Sequence, residues 1–533
     1  MLGRRSPPTC GPLLPAVLLA VLATLPALGA QENPAASRLL PPQLGHVHGS
    51  FLEWEVTTTA YDGDPYDVQA FAEFMHEAGA TYTVPLFYAG DDTWRLRFSG
   101  PRVGSYSATT RSDHDGLAGL DVRATFAPNP DPRAIGFMVP SGDAFAVLVG
   151  DGSRARRTIY NVYQRHDSKT DPDGVETAAH LSDDPRVRGR HIEALLDEVE
   201  RHGMQALFIL VGNNWFSWPR EYDEPVPDDV PRRTYPDPVT FEILEDVLAR
   251  AQARRLFVHL WAWGDAENNN APDGFGGINS PVDVRLQYYI AGRLGSIPNW
   301  TMSLGYDLEE WVSPTEARIW HDTLTSFNTL PRLVGAREFG VWRGESFELG
   351  ANKFGYFSND YRPESDFFDH ALELFDRAHA LPLLYERRFL HTRDDVWDGQ
   401  TTRRALWQFT LAGGAGGIWG VLWGDGPEYP EPAHLRTHDE FWSARFVHDF
   451  ERPQRLADGT IALHSSDGRR TVLYAEATDR ITLDLAPSAD ARTAIAVDTR
   501  APYVEIELRA LGAEGDHWRA PYASDWAIAI GAF

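Results

Sequence analysis

The chain is poor in cysteine and in lysine. Its 533 residues include one cysteine, Cys10, and two lysines, Lys169 and Lys353. The only thiol falls in residues 1–30, which read as a secretory signal. Arg4 and Arg5 supply the charged start, Leu13 to Leu25 the short apolar stretch, and Ala27, Gly29 and Ala30 a small-residue cleavage site ahead of Gln31-Glu32. With that segment removed, disulfides, thiol catalysis and cysteine-ligated zinc are excluded together. The expected localisation is secreted or periplasmic. Pro15 and Pro26 interrupt the apolar stretch, and no other segment approaches the length of a membrane span. Positive charge is scarce as well: 49 Lys and Arg against 76 Asp and Glu leave a formal net charge of -27. Nucleic acid is therefore excluded as a partner, because phosphate binding needs clustered basic surface. An acidic surface of this kind mainly keeps a protein soluble. Nothing in the sequence marks an oligomeric state.

Aromatic side chains, by contrast, are plentiful, with 17 Trp, 19 Tyr and 27 Phe. Indole faces serve both as core filling and as stacking platforms for sugars. The length exceeds what one core accommodates, so several domains are expected. Residues 31–48 read as a flexible leader, with His46 and His48 in "GHVHG". Residues 49–130 carry short alternating stretches, "TYTVPLFYAG", "WRLRFSG" and "GSYSATTRS", separated by turn signals such as Tyr61-Asp62-Gly63-Asp64-Pro65. They read as an N-terminal β-sandwich. "APNPDPRA" (127–134) is a linker by composition. Residues 453–533 alternate again in "RTVLYAEA", "ITLDLAPS" and "YVEIELRAL", which predicts a C-terminal β-sandwich domain.

The middle region, 131–452, differs. Eight short apolar runs begin at Phe145, Gln205, Arg255, Asn299, Leu330, Lys353, Leu381 and Gly416, with amphipathic helical patterns such as "RHIEALLDEVERHG" between them. Apolar strands alternating with helices indicate a parallel sheet buried on both faces. Eight units fit a closed (β/α)8 TIM barrel, and no Gly-rich dinucleotide fingerprint follows the first run. The fold class is thus α/β, a (β/α)8 TIM barrel flanked by two β-sandwich domains.

In such a barrel the residues just after each strand form the functional face. After the fourth run, "NWTMSLGY", come Asp307, Glu309 and Glu310; after the seventh, "LPLLYER", comes Glu386. Two carboxylates facing each other across the mouth are what glycoside cleavage requires, one protonated to assist the leaving oxygen and one ionised as nucleophile or base. Acids also gather at helix starts, where they cap free N–H groups. Here "SPTEARIW" provides its own capping box, Ser313 with Glu316, so the following helix does not need Asp307 or Glu310. Glu386 has a structural alternative, pairing with Arg387 or Arg388.

Other strand ends suit a sugar-binding cleft: Asn213, Asn214 and Trp215 after the second run, Trp261 and Trp263 at the third, and Trp419 and Trp423 in the eighth. Arg337, after the fifth run, and Arg388 could bind carboxylates or sulfates bidentately, or neutralise nearby acids. His259, inside an apolar run, reads as a core histidine. No set of residues has metal-ligand spacing, and no cofactor is implied.

The three-part layout resembles bacterial apiosidase-like (β/α)8 glycoside hydrolases. "FLEWEVTTTAYDGDPYDVQAFAEF" and "VPLFYAGDDTWRLRFSGPRVGSYSATT" are similar to the N-terminal module of that family, and "DHWRAPYASDWAIAIGAF" to the close of its C-terminal domain. "FAVLVGDG" at Phe145 resembles the opening barrel strand, with Asp151-Gly152 in place of the usual Asp-Thr. The resemblance implies an acid/base after strand four and a nucleophile or base after strand seven, positions that fall on Asp307 and Glu386. Tyr306 stands between Gly305 and Asp307, a departure that leaves Asp307 and Glu310 both candidates for the acid. The function expected is hydrolysis of a poly- or oligosaccharide substrate, including an anionic one. Non-catalytic carbohydrate binding and a polysaccharide lyase are the alternatives.

Overall fold

The computed structural model describes residues 38–149, 154–165, 178, 181–216, 234–264, 275–305, 308, 311–338, 357–359, 367–377, 381–386, 391–392, 395–396, 399–419, 431–445, 450–484, 493–508 and 517–533. Eight strands come first: β1 (Arg38–Leu39), β2 (Gln43–His46), β3 (Leu52–Thr57), β4 (Ala70–His76), β5 (Thr81–Gly90), β6 (Thr93–Phe98), β7 (Gly104–Ser112) and β8 (Leu120–Ala127). Every second side chain of β4, β7 and β8 is buried, the period a half-buried strand imposes. They form one continuous sheet, β1-β8-β7-β4-β5-β6-β3, with β2 also on β8. The first half of β5 pairs with β4 and the second half with β6, so the sheet folds over on itself. Trp54, Phe74, Trp94, Phe98, Tyr106 and Phe126 fill the space it encloses.

The flexible leader expected over 31–48 is corrected from Arg38 onward. β1 and β2 run parallel to β8, Val47 and His48 are buried, and the His46 ring bonds the Pro128 carbonyl. The edge of β8 needed hydrogen-bond partners, and this segment supplies them.

Next come β9 (Ile135–Ser141), β10 (Ala144–Val149) and β11 (Arg154–Thr158), an antiparallel three-stranded sheet. β10 is the "FAVLVGDG" run, so the expected first barrel strand is not one. Ile135, Met138, Phe145 and Val147 pack against Tyr160, Phe257, Leu333 and Ala415, which lie at or just before the starts of barrel strands. The sheet floors the barrel at its N-terminal end. Being covered there, it carries the same uninterrupted apolar signature as a parallel strand.

The barrel is closed by eight parallel strands: β12 (Tyr160–Tyr163), β13 (Ala206–Leu210), β14 (Phe257–Trp261), β15 (Trp300–Ser303), β16 (Val334–Glu338), β17 (Phe357–Asn359), β18 (Leu383–Tyr385) and, after a small hairpin of β19 (His391–Thr392) and β20 (Asp395–Val396), β21 (Gly416–Ile418). Pairing of β12 with β21 completes the ring. A Cβ on Gly416 would lie 1.9 Å from the Tyr160 carbonyl oxygen, so this seam admits only glycine. Seven of the expected runs contain strands two to eight, and "YNVY" is the first.

The described helices are α1 (Pro185–Arg201), α2 (Pro238–Ala253), α3 (Pro281–Arg293), α4 (Pro314–Phe327), α5 (Phe367–Arg377), α6 (Gly399–Leu411) and α7 (Pro432–Ser443). The first four begin alike. Asp184, Asp237, Ser280 and Ser313 each cap the helix through a side-chain oxygen and are each followed by proline at the first helical position. The capping box read from Ser313 and Glu316 is present, with both reciprocal hydrogen bonds formed.

The flanking sheets are clamped to the barrel by buried ion pairs. On β6, Arg97 bonds Glu53 at 2.7 Å, Glu245 of α2 at 2.7 Å and the Arg293 carbonyl at 2.8 Å, while Arg293 of α3 bonds Glu245 at 2.6 Å. At the other end are β22 (Gln454–Arg455), β23 (Ile461–His464), β24 (Thr471–Thr482), β25 (Ala494–Asp498), β26 (Ile506–Glu507) and β27 (His517–Ile530), paired in the order β22-β23-β24-β27-β25-β26. Among the described residues this is one antiparallel sheet rather than the expected sandwich. Val472, Tyr474, Ala527 and Ala529 on one face join the core around the barrel helices, and Leu473, Trp526, Ile528 and Ile530 form a separate cluster on the other. The barrel helices thus do the work of a second sheet.

Asp525 of β27 is wholly buried and accepts from both Arg403 and Arg404 of α6 and from the Ala477 backbone N–H. Burial alone would raise this carboxyl, but the two arginines outweigh it and hold it at about 2, against an ordinary 3.8. A depressed acid contributes stability that is complete above its unfolded value and is lost as pH falls through the folded one. Asp525→Asn is therefore expected to lower stability at neutral pH by about 3–5 kcal/mol. It should also flatten the loss of stability between about pH 4 and pH 2, with denaturant unfolding at a series of pH values as the check.

Candidate functional site

Side chains of a strand alternate between its two faces, and in a closed barrel one face is the interior. On β18, Leu384 joins the interior cluster while Leu383 and Tyr385 join the layer between strands and helices. The next residue, Glu386, therefore turns inward. On β14, Phe257 and Trp261 are interior and Val258 and Leu260 face the helices, so His259 is interior too. On β15, Trp300 and Met302 face outward, which turns Thr301 and Ser303 in. Tyr160 of β12 belongs to the interior cluster.

These inward polar residues meet. Glu386 has no solvent exposure, and a carboxylate so placed must be surrounded by donors. His259 Nε2 lies 3.0 Å from its Oε1, and the Ser303 hydroxyl donates to its Oε2 at 3.0 Å. On the other side of the imidazole, Nδ1 lies 2.8 Å from Thr301 Oγ1, which lies 2.7 Å from the Tyr160 hydroxyl. The Trp261 indole N–H points at His259 Nε2 from 3.1 Å. Burial, aided by the Glu386 charge, pushes the Tyr160 hydroxyl far above its usual range despite the opposing Thr301 hydrogen bond, so it keeps its proton at any working pH.

Above this group the chain turns at Leu304 and Gly305. Gly305 has φ +155°, and a Cβ there would lie 2.7 Å from the Trp263 carbonyl oxygen. The turn leads toward Asp307 and Glu310, both outside the described residues, as are Arg388 and Trp423. Arg337 lies within β16 rather than after it.

Alternation also sorts the aromatic residues. Trp261 is interior, against Phe208. The other three described tryptophans are corrected from cleft to packing positions. Trp419 follows the inward Ile418 and faces out. Its indole donates to Asn161 Oδ1 at 2.8 Å and stacks on Tyr385 at 6.0 Å. Trp215 is buried beside Phe241 of α2 and donates to the Ala262 carbonyl at 2.6 Å. Trp263 is buried with Phe216 and Phe275. Asn213 is buried, and half-buried Asn214 bonds the Val211 carbonyl at 3.0 Å. His259 is buried, as a core histidine would be, yet it belongs to the polar group. Tyr160, Thr301 and Ser303 went unrecognised in the sequence. For Thr301 and Ser303 the signal is a polar residue at every second position of an apolar strand. Among the described residues no three His, Cys, Asp or Glu side chains converge as a metal site, and no helix is long and apolar enough to cross a membrane.

Residues 50–113 match the profile of a domain of unknown function, DUF5060. No curated protein matches the chain. Among solved structures, a Bacteroides vulgatus ATCC 8482 protein provisionally assigned as a glycoside hydrolase superposes with a TM-score of 0.69 at 15% identity, over 92% of this chain and all of its own. A second glycoside hydrolase gives 0.54 at 13% identity, over 74% of this chain and 97% of its own. A family 5 glycoside hydrolase from Bacteroides vulgatus ATCC 8482 gives 0.53 at 12% identity, over 74% of this chain and 94% of its own. At such identities the likeness is one of fold. The chain has the fold of glycoside hydrolases.

If Trp419 is a packing residue, Trp419→Phe leaves the buried Asn161 oxygen without that donor. The expected cost is about 1–3 kcal/mol, read by denaturant unfolding, with glycan binding unaltered.

Proposed function

We propose that the protein is a secreted glycoside hydrolase cleaving a poly- or oligosaccharide, with Glu386 as nucleophile or base. The observation that carries this reading is the inward carboxylate at the end of the seventh barrel strand, held between His259 and Ser303. The general acid comes from the segment after the fourth strand, with Asp307 first and Glu310 as the competing or assisting residue. Glycoside cleavage proceeds through an oxocarbenium-like transition state, so it needs a negative group beneath the anomeric carbon and a proton for the departing oxygen. A carboxylate fixed by two neighbours meets the first need without reorganisation. A separation of about 5–5.5 Å between the two carboxyls corresponds to retention, and about 6.5–9.5 Å to inversion.

Several finer features belong to the same reading. The barrel is a complete (β/α)8 TIM barrel of the apiosidase-like kind, entered through the folded N-terminal sheet and closed by the C-terminal sheet. Residues 1–30 direct export to the periplasm or the exterior. Arg337 and Arg388 bind acidic groups of an anionic substrate, and Trp261 and Trp423 line the cleft with Asn213 and Asn214. The fold of three solved neighbours bearing the glycoside hydrolase name supports the class of reaction, and the DUF5060 match supports the N-terminal module.

The test is hydrolysis across a panel of neutral, uronate-containing and sulfated glycans by the wild type and by Glu386→Gln. The variant should stay folded and lose at least about a thousandfold in kcat, within the range set by removing a nucleophile or its base. Near-normal turnover in the folded variant overturns the assignment. Binding without cleavage by the wild type points instead to a carbohydrate-binding protein, and new ultraviolet absorbance from unsaturated ends points to a lyase.

A further inference from the structure

The inward side chains of β12, β14 and β15 form a line that ends on Glu386: Tyr160, Thr301 and His259, at 2.7, 2.8 and 3.0 Å. Each hydroxyl has one proton to give and a neutral imidazole has one N–H and one lone pair; with the Thr301 proton used within the line, since no other acceptor for it is found among the described residues, the line runs in one of two directions. In the first, Tyr160 donates to Thr301, Thr301 donates to His259 Nδ1, and His259 Nε2–H donates to Glu386. In the second, His259 Nδ1–H donates to Thr301 and Thr301 donates to Tyr160. The Nε2 lone pair then faces Trp261 N–H and Glu386 Oε1 together.

The surroundings favour the first. Tyr160 is 1% exposed and has a single hydrogen-bond partner, Thr301, among the described residues. In the second direction its proton would point at nothing that accepts it, a costly arrangement in a buried site. The second direction also sets a lone pair against Glu386 Oε1, which is repulsive unless that carboxyl carries a proton. The first direction satisfies every hydroxyl and imidazole donor along the line and terminates it on an anion, where a hydrogen bond is strongest, at the cost of Nε2 as an acceptor for the Trp261 N–H. Among the described residues, Tyr160 and Glu386 are the titratable side chains that face His259 from the packed strands.

We propose that Tyr160 and Thr301 are positioning residues that fix His259 with its proton on Nε2, so that it donates to Glu386 and holds the carboxylate in place. This rests on the reading of Glu386 as the nucleophile or base, but the tautomer itself does not. Ser303 supplies the opposite anchor by donating to Oε2, so the two oxygens are held from two different strands. Trp261, although its N–H lies within 3.1 Å of Nε2, is not the donor that sets the state of the imidazole.

The experiment is nitrogen NMR of the histidine side chains in the full-length protein, with the His259 signals assigned by their loss in His259→Gln. The wild type should show His259 protonated at Nε2 and unprotonated at Nδ1. Thr301→Val keeps the shape but removes the hydroxyl, and should shift the equilibrium to a mixture or to the Nδ1–H form. Thr301→Ser should restore the Nε2–H signature. Tyr160→Phe should move it in the same direction as Thr301→Val, by less. On a glycan the wild type cleaves, Thr301→Val should lower kcat about tenfold with KM unchanged, and Thr301→Ser should recover the loss. A wild-type His259 protonated at Nδ1, or a folded Thr301→Val with wild-type tautomer and kcat, overturns the proposal. A wild type that cleaves none of the glycans while showing the Nε2–H signature overturns the proposed function and leaves the hydrogen-bond line standing.

Discussion

A carboxylate with no solvent exposure persists in a barrel interior only if the strands around it supply donors. Glu386 is such a group, and the alternation of three strands brings His259 and Ser303 to its two oxygens. Much of the surrounding architecture can be read as support for that placement. Leu384 anchors the seventh strand to the interior and Tyr385 anchors it to the helices, so the inward turn of Glu386 follows from packing on both sides. The floor formed by the β9–β11 sheet closes the N-terminal end, opposite the end where barrels of this kind place their chemistry. The N-terminal sheet grips the helical layer at α2 and α3 and the C-terminal sheet grips it at α6, each through buried arginines, and among the described residues neither contributes a side chain to the polar group.

Such a group trades stability for a defined electrostatic environment. Replacing Glu386, His259 and their hydroxyl partners with well-packed apolar residues would keep the interior filled, and often costs a fold nothing. A line of titratable and hydroxyl side chains there accords with the proposed role of Glu386. The geometry is of the kind that catalysis by charge stabilisation requires: fixed donors, little water and no reorganisation when charge develops. The tryptophans, by contrast, divide between interior and packing layer by strand parity rather than by chemistry.

Much of this was legible from residues alone, and the failures have physical causes. The runs at Gln205, Arg255, Asn299, Leu330, Lys353, Leu381 and Gly416 do contain barrel strands, because parallel strands covered on both faces write continuous apolar stretches. The run at Phe145 misled because the floor of a barrel is equally covered. "YNVY" does not read as an apolar run because its second residue is an asparagine, which the fold buries and pairs with the Trp419 indole at the seam with β21. Glu386 stands out as an acid directly after an apolar run. Tyr160, Thr301, His259 and Ser303 do not, since each sits inside a strand rather than after one. Only the registers of β12, β14 and β15 in the closed barrel bring them together. Trp215, Trp263 and Trp419 stand at or after the ends of apolar runs, and that position does not reveal which way a side chain faces.

The central claim is that Glu386 faces the bond that is cleaved. The measurement that bears on it most directly is a crystal structure of Glu386→Gln with an uncleaved oligosaccharide from the wild type's own substrate. The account predicts a glycosidic linkage over the barrel mouth. The residue-386 amide should lie within about 3–3.5 Å of the anomeric carbon or of a water poised to attack it. An oligosaccharide bound with its linkage remote from residue 386, or bound on a flanking sheet alone, would contradict it.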